Sequence, residues 1–394
     1  MLRLFWPLFW ATVVAAVYEY DGEVPTIKIK YSEDKDAKES TGLLTMATVD
    51  TLVLSKECAK KDTCTPYEHT SYYDKDINKD KKSRTISIDY LNYKLKCGLY
   101  TARLIFGNYN SDSAPIYAVE SVENNKLDLP QDALVGLEFG DSLDKGFAIS
   151  SFMENAGNGK KVMIFRTGPF IQQLKKKEIK TAKGKFEIGE TTLAGCGNFT
   201  MIPTIANKGW KAAATVTIGG TEYKTKTISF SFDKLITVPT TIYDAKFKDK
   251  GEADLPEISI NFGGDNNFTI GKLNLQNYGD DKHEKLEVLV KDGAPEDEII
   301  LGKNFLSDYC IGLKSNDEQN KFEIWLAPIT EKGNDPQWEE YDDGNGGGGQ
   351  GGGGGGGKGG KGDEKGKGAF TASCSVLLNV LSASILAFFA RLAQ

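Results

Sequence analysis

Between residues 17 and 328 the chain is dominated by short runs in which apolar and polar residues alternate, and this period of two constrains the fold more than any other feature. The clearest runs are Thr85-Ile-Ser-Ile-Asp-Tyr, Lys161-Val-Met-Ile-Phe, Ala214-Thr-Val-Thr-Ile, Thr227-Ile-Ser-Phe-Ser-Phe, Lys285-Leu-Glu-Val-Leu-Val and Lys321-Phe-Glu-Ile-Trp-Leu. Successive side chains of a strand point to opposite faces, so runs of this kind, rich in β-branched and aromatic residues, read as half-buried strands. Glycine pairs in Ile218-Gly-Gly-Thr and Phe262-Gly-Gly-Asp supply turns between them. Helical patterns are confined to 238–246, with Pro239 near the start, and 303–309. The expectation is an all-β chain, mostly antiparallel, with a few short helices.

Both ends depart from this pattern. A charged start, an apolar run over 4–17 broken by Pro7, and the small residues Ala15 and Ala16 make residues 1–16 a secretory signal cleaved after Ala16. A membrane anchor would need about 20 apolar residues. Of the 43 glycines, 17 lie between residues 344 and 368, so the remainder of the chain has an ordinary glycine content. Residues 331–368 therefore read as a flexible Gly/Lys-rich linker. The apolar stretch 376–390 then makes residues 369–394 a glycolipid (GPI) attachment signal, with Gly366, Gly368 and Ser373 as candidate attachment sites. The rival reading is a single span from Ala369 to Ala390 flanked by Arg391, which its Thr, Ser and Asn residues weaken. Either anchor holds the globular part at the extracellular face of a membrane.

A net charge of −7 excludes a general nucleic-acid binder, which needs a basic footprint. His69 and His283 are the only histidines and lie far apart, which argues against a His-rich zinc site or a Ser-His-Asp hydrolase. There is no phosphate-binding loop and no metal-ligand cluster, so no cofactor and no metal are expected. The six cysteines suit an oxidising compartment. Cys58 and Cys64 close a short loop and form the expected pair, and Cys374 leaves with the tail. Cys97 is open to a bridge with Cys196 or Cys310, and spacing does not choose among these. Asn198-Phe-Thr and Asn267-Phe-Thr are glycosylation acceptors.

Asp132-Ala-Leu-Val-Gly-Leu and Glu298-Ile-Ile-Leu-Gly-Lys repeat one aliphatic-Gly element, once in each half of the chain. The second continues as Asn304-Phe-Leu-Ser-Asp-Tyr and, later, Asn320-Lys-Phe-Glu-Ile-Trp-Leu-Ala-Pro. These segments resemble the closing part of the pepsin-like aspartic peptidases. Further segments, in the same order as in that family, extend the resemblance over the body. They are the Cys58/Cys64 loop, Ile86-Ser-Ile-Asp-Tyr90 as the strand entering a substrate-covering flap, Gly184-Lys-Phe-Glu-Ile-Gly189, and Gly209-Trp-Lys. The resemblance implies a bilobal pepsin-like fold with a central cleft, an N-terminal lobe over 17–155 and a C-terminal lobe over 156–330.

The chemistry of that family requires one aspartate from each lobe, in an Asp-Thr-Gly motif, sharing a proton around a water. No Asp-Thr-Gly or Asp-Ser-Gly occurs in this chain. Counting back from Leu52-Val-Leu54 and Cys58 brings Met46 to the first aspartate position, with Ala47 and Thr48 after it. Counting back from Pro239 brings Phe230 to the second, followed by Ser231 and Phe232. Asp50 and Asp233 are the nearby carboxylates and form the fallback dyad. Asp50 reads as an exposed loop acid and Asp233 as a surface partner of Lys234. The flap sequence becomes Tyr90-Leu-Asn-Tyr93, without glycine at its tip, leaving Tyr90 as a residue that covers the cleft.

The resulting expectation is a secreted or cell-surface aspartic peptidase homologue without catalytic residues, a pseudoenzyme that binds extended peptides or proteins in its cleft. The alternative is an active acid endopeptidase using Asp50 and Asp233. A basic run such as Lys175-Lys-Lys177 reads as a solvated turn rather than a site for acidic partners.

Overall fold

The structure is a computed structural model. It describes residues 17–20, 24–32, 38–48, 50–60, 64–67, 69, 71–74, 82–90, 93–107, 109–123, 126–129, 131–138, 161–168, 172–174, 177–179, 183–206, 208–278, 285–316 and 321–330. The chain divides into two units, Met1–Tyr341 and Asp342–Gln394, and every described residue belongs to the first. The leader, the linker, the tail and the boundary expected at 155/156 fall outside the described residues.

The fold is mostly β, built on three larger sheets. The first has seven strands in the order Thr26–Ile29, Ser40–Thr45, Ala133–Gly136, Thr51–Leu54, Tyr109–Glu123, Tyr93–Phe106, Lys82–Tyr90. The second, also of seven, runs Asn267–Ile270, Ile258–Asn261, Ala212–Ile218, Thr221–Phe230, Glu298–Leu301, Ile236–Pro239, Val290–Ala294. A third sheet of six strands joins Val17–Tyr20, Gly184–Ile188, Val162–Arg166, Tyr309–Asn316, Lys321–Pro328 and Thr200–Pro203.

The first two sheets share one pattern at their centre. Ser40–Thr45 lies parallel to Ala133–Gly136, which is antiparallel to Thr51–Leu54, which is parallel to Tyr109–Glu123. In the second sheet Thr221–Phe230, Glu298–Leu301, Ile236–Pro239 and Val290–Ala294 repeat these orientations in the same order. The two aliphatic-Gly segments of the sequence are therefore the same structural part, a short strand inserted between two others. This insertion also explains why antiparallel pairing predominates without being universal.

Burial follows position in the sheets. Gly184–Ile188 and Ala212–Ile218 alternate buried with more exposed residues, as their sequences demand. Val162–Arg166 was expected to be half-buried but is buried at every position, because it runs between two other strands and is covered on both faces. The inserted strand Ala133–Gly136 and its neighbour Thr51–Leu54 are likewise buried throughout. The expected helices form at Thr240–Lys246, with Pro239 as the preceding residue, and at Lys303–Leu306. Proline suits that edge because its fixed φ is already helical and it has no N–H to leave unpaired. Among the described residues no helix is long and apolar enough to cross a membrane.

Cys58 and Cys64 are disulfide-bonded, and the second bridge joins Cys196 to Cys310. Cys97 is a free, buried thiol. Its strand belongs to the first sheet, whereas Cys310 lies in the third, opposite Ala327, and Cys196 bridges to Ile329 nearby.

The backbone after the second inserted strand is packed to the limit. A Cβ on Gly302 would lie 2.2 Å from the Lys234 carbonyl oxygen and 2.4 Å from the Leu235 carbonyl carbon. Overpacking against immovable backbone costs on the order of 1–3 kcal/mol. Gly302→Ala is expected to lower stability in urea denaturation by at least about 2 kcal/mol. Gly271→Ala, where a Cβ meets nothing within 4 Å, is expected to change it by under about 0.5 kcal/mol.

Candidate functional site

In each of the two seven-stranded sheets the chain leaves one central strand, turns through a loop and returns as the strand on the other side of the insertion. The first loop joins Ser40–Thr45 to Thr51–Leu54, and the second joins Thr221–Phe230 to Ile236–Pro239. The residues singled out for catalysis all lie at these two loops.

Strand register makes the two loops comparable. Leu44 pairs with Val135 and Thr45 with Gly136, while Phe230 pairs with Leu301, the residue before Gly302. The counterpart of Phe230 in the first sheet is thus Leu44, and the counterpart of Met46 is Phe232. Met46 and Phe230, reached by counting from different landmarks, are two positions out of step. The loops differ in length: Leu52 pairs with Leu134 and Thr237 with Ile300, making the first loop longer by one residue.

The chemistry is the same in either register. Leu44, Met46, Phe230 and Phe232 are all buried and belong to one continuous apolar core. The Phe232 ring packs 4.9 Å from that of Phe165, and Phe230 lies 6.3 Å from Phe305. Desolvating an unpaired carboxylate at any of these positions would carry a large penalty.

Hydroxyl groups that sequence reasoning passed over close both loops. Thr45 Oγ1 accepts the Ala47 N–H at 3.1 Å, and Ser231 Oγ accepts the Lys234 N–H at 3.3 Å. Thr45 and Ser231 are register counterparts, so each loop begins with a buried side-chain oxygen that takes up a backbone donor. Their signal in the sequence was a short hydroxyl residue immediately after an apolar strand residue.

The fallback acids each bond within or beside their own loop. Ser231 Oγ donates to Asp233 Oδ1 at 2.6 Å, holding that carboxylate within its own loop. Asp50 uses its backbone, with its N–H donating to Thr48 Oγ1 at 3.1 Å and its carbonyl accepting from Gly136 N–H at 3.2 Å. No hydrogen bond joins Asp50 to Asp233. Asp50 is half-buried rather than exposed, and burial raises its carboxyl above the usual aspartate range. Its charge acts on Cys97, whose thiol is pushed up to about 12 by burial first, then by Glu120 and Asp50.

One further feature borders the first loop, and another lies at the far end of the inserted strand. Trp210 is buried, its indole N–H donating to the Leu137 carbonyl, and its backbone N–H donates to Glu138 Oε1 at 3.3 Å. Gly209, before it, has φ +61° and faces the Glu138 carboxylate so closely that a Cβ would collide with it. His69 is engaged too, with Nδ1 3.2 Å from Asp132 Oδ1 and Nε2 3.3 Å from Thr65 Oγ1.

Tyr90 ends the strand Lys82–Tyr90, which pairs with Tyr93–Phe106 down to Tyr90 opposite Tyr93. The tip at 91–92 lies outside the described residues, as do Lys175 and His283. Asn198 and Asn267 are both exposed. No group of three or more potential metal ligands occurs among the described residues. No family model matches the chain, and no curated protein matches it.

Because folding raises the Asp50 pKa, a stability penalty builds as the pH rises above the unfolded value and is complete above the raised one. The penalty disappears below the unfolded value of about 3.9, where the group is protonated in both states. Asp50→Asn is therefore expected to raise the urea midpoint at pH 7 and to leave it unchanged near pH 3. An equal shift at both pH values would refute the burial argument.

Proposed function

We propose that this chain is a bilobal pepsin-like protein of the cell surface that has lost the acid dyad and works as a binding module for extended peptides or proteins. The observation that carries this reading is the burial of Leu44, Met46, Phe230 and Phe232 in one apolar core at both strand-to-loop junctions. Proton-shared carboxylate chemistry needs two acids in contact. Here the junctions offer hydrocarbon, and the nearest carboxylates serve separate loops.

The repeated central pattern of the two seven-stranded sheets, with a third sheet built from segments on either side, supports the bilobal reading. So do the disulfide at Cys58 and Cys64 and the long hairpin of Lys82–Tyr90 with Tyr93–Phe106. A cleft between β lobes suits an extended chain, which is recognised by backbone pairing and by pockets for alternate side chains. The leader and tail read from the sequence put the binding module outside the cell, tethered through a lipid.

Two experiments test this. The purified ectodomain, incubated with a mixed peptide library from pH 2 to 6, is expected to yield no products above those of the Asp50→Ala, Asp233→Ala double variant. Cleavage by the wild type that both single variants abolish would establish a peptidase. Phosphatidylinositol-specific phospholipase C is expected to release the protein from intact cells; retention would favour the spanning tail.

A further inference from the structure

An outermost strand of a sheet presents unpaired N–H and C=O groups and invites pairing with another chain unless something covers it. Both glycosylation acceptors fall at such strands. Asn267 is the first residue of Asn267–Ile270, the outer strand of the second sheet. Asn198 stands two residues before Thr200–Pro203, the outer strand of the third.

The two edges are finished differently. At Asn267–Ile270 the backbone is already occupied. Thr269 N–H donates to Tyr309 Oη at 3.1 Å, Tyr309 Oη donates to the Thr269 carbonyl at 2.8 Å, and Asn267 N–H donates to the Asp265 carbonyl at 3.0 Å. Asn267 Oδ1 accepts from Ser259 Oγ at 2.8 Å, a contact that a sugar on the amide nitrogen leaves intact.

At Thr200–Pro203 no described residue hydrogen-bonds the outward side of Met201. Proline has no N–H and sits in a strand with its nitrogen facing away from the ladder. Pro203 therefore marks the outward side, and the period of two turns Met201 the same way. Among the described residues Met201 has no hydrogen-bond partner on that side, and its side chain is 60% exposed, the highest of the large apolar residues. Asn198 lies three residues back, about 10 Å along an extended chain. Its base is fixed by the Cys196–Cys310 disulfide and by Gly197 N–H donating to the Pro328 carbonyl at 2.8 Å.

We propose that a glycan on Asn198 shields the edge at Met201 from pairing with the same edge of a second copy of this chain, whereas the glycan on Asn267 has no such role because Tyr309 already closes its edge. Identical edges meet antiparallel about a two-fold axis, so the product without the shield is a dimer. The proposal rests on the secretory reading of the chain and concerns an edge outside the catalytic loops.

The test uses the full ectodomain secreted from glycosylating cells, with occupancy of each acceptor read first by mass spectrometry. Asn198→Gln is expected to form a dimer in sedimentation velocity at tens of micromolar, while wild type and Asn267→Gln stay monomeric. Endoglycosidase treatment of the folded wild type should reproduce the dimer, which separates shielding from a folding defect. Adding Met201→Lys to Asn198→Gln should restore the monomer, since a charge on an edge strand opposes pairing. An unmodified Asn198, a monomeric Asn198→Gln and deglycosylated protein, or equal association of Asn267→Gln would each overturn the proposal.

Discussion

In both seven-stranded sheets a four-residue aliphatic strand is inserted between two others, parallel to one and antiparallel to the next, and the arrangement around the loops depends on it. The insertion forces the chain to leave one central strand and return two places away. The connecting loop then has to cross the end of the inserted strand. In the second sheet that crossing is tight enough that only glycine fits at 302. Each loop is therefore delivered to the same location relative to its sheet, where a hydroxyl side chain, Thr45 or Ser231, takes up one of its backbone donors.

The two loops close in the same way. Thr45 and Ser231 take up backbone donors, so each turn closes through a hydroxyl rather than a carboxylate. Apolar residues on either side extend the core through the junction by ordinary packing. Asp233 is held by Ser231 in its own loop, and Asp50 shares its surroundings with Cys97 and Glu120. The two acids stand at register positions that do not correspond, since the counterpart of Asp233 is Ala47.

Much of the β architecture was legible because alternation has a direct physical cause. Strands with one open face, such as Ala212–Ile218, print their burial pattern onto the sequence. Strands covered on both faces do not, and Val162–Arg166 looked half-exposed until its neighbours were known. The aliphatic-Gly repeat was visible, but its meaning as an inserted strand was not, since sheet order is a long-range property. The Cys58–Cys64 bridge was readable from a separation of 6, whereas Cys196–Cys310, at 114, depends on the third sheet bringing distant segments together. The candidate site was half legible: the absence of Asp-Thr-Gly and Asp-Ser-Gly was plain, but Met46 and Phe230 were reached from separate landmarks and stand two register positions apart.

The central claim is that no proton-sharing acid couple exists at the loops, and carboxyl-carbon NMR titration of Asp50 and Asp233 tests it most directly. Two acids sharing a proton titrate as a coupled pair in two steps. The account predicts one inflection for Asp50, unmoved by Asp233→Asn. A two-step titration common to both residues, collapsing to one step when either is replaced, would contradict it.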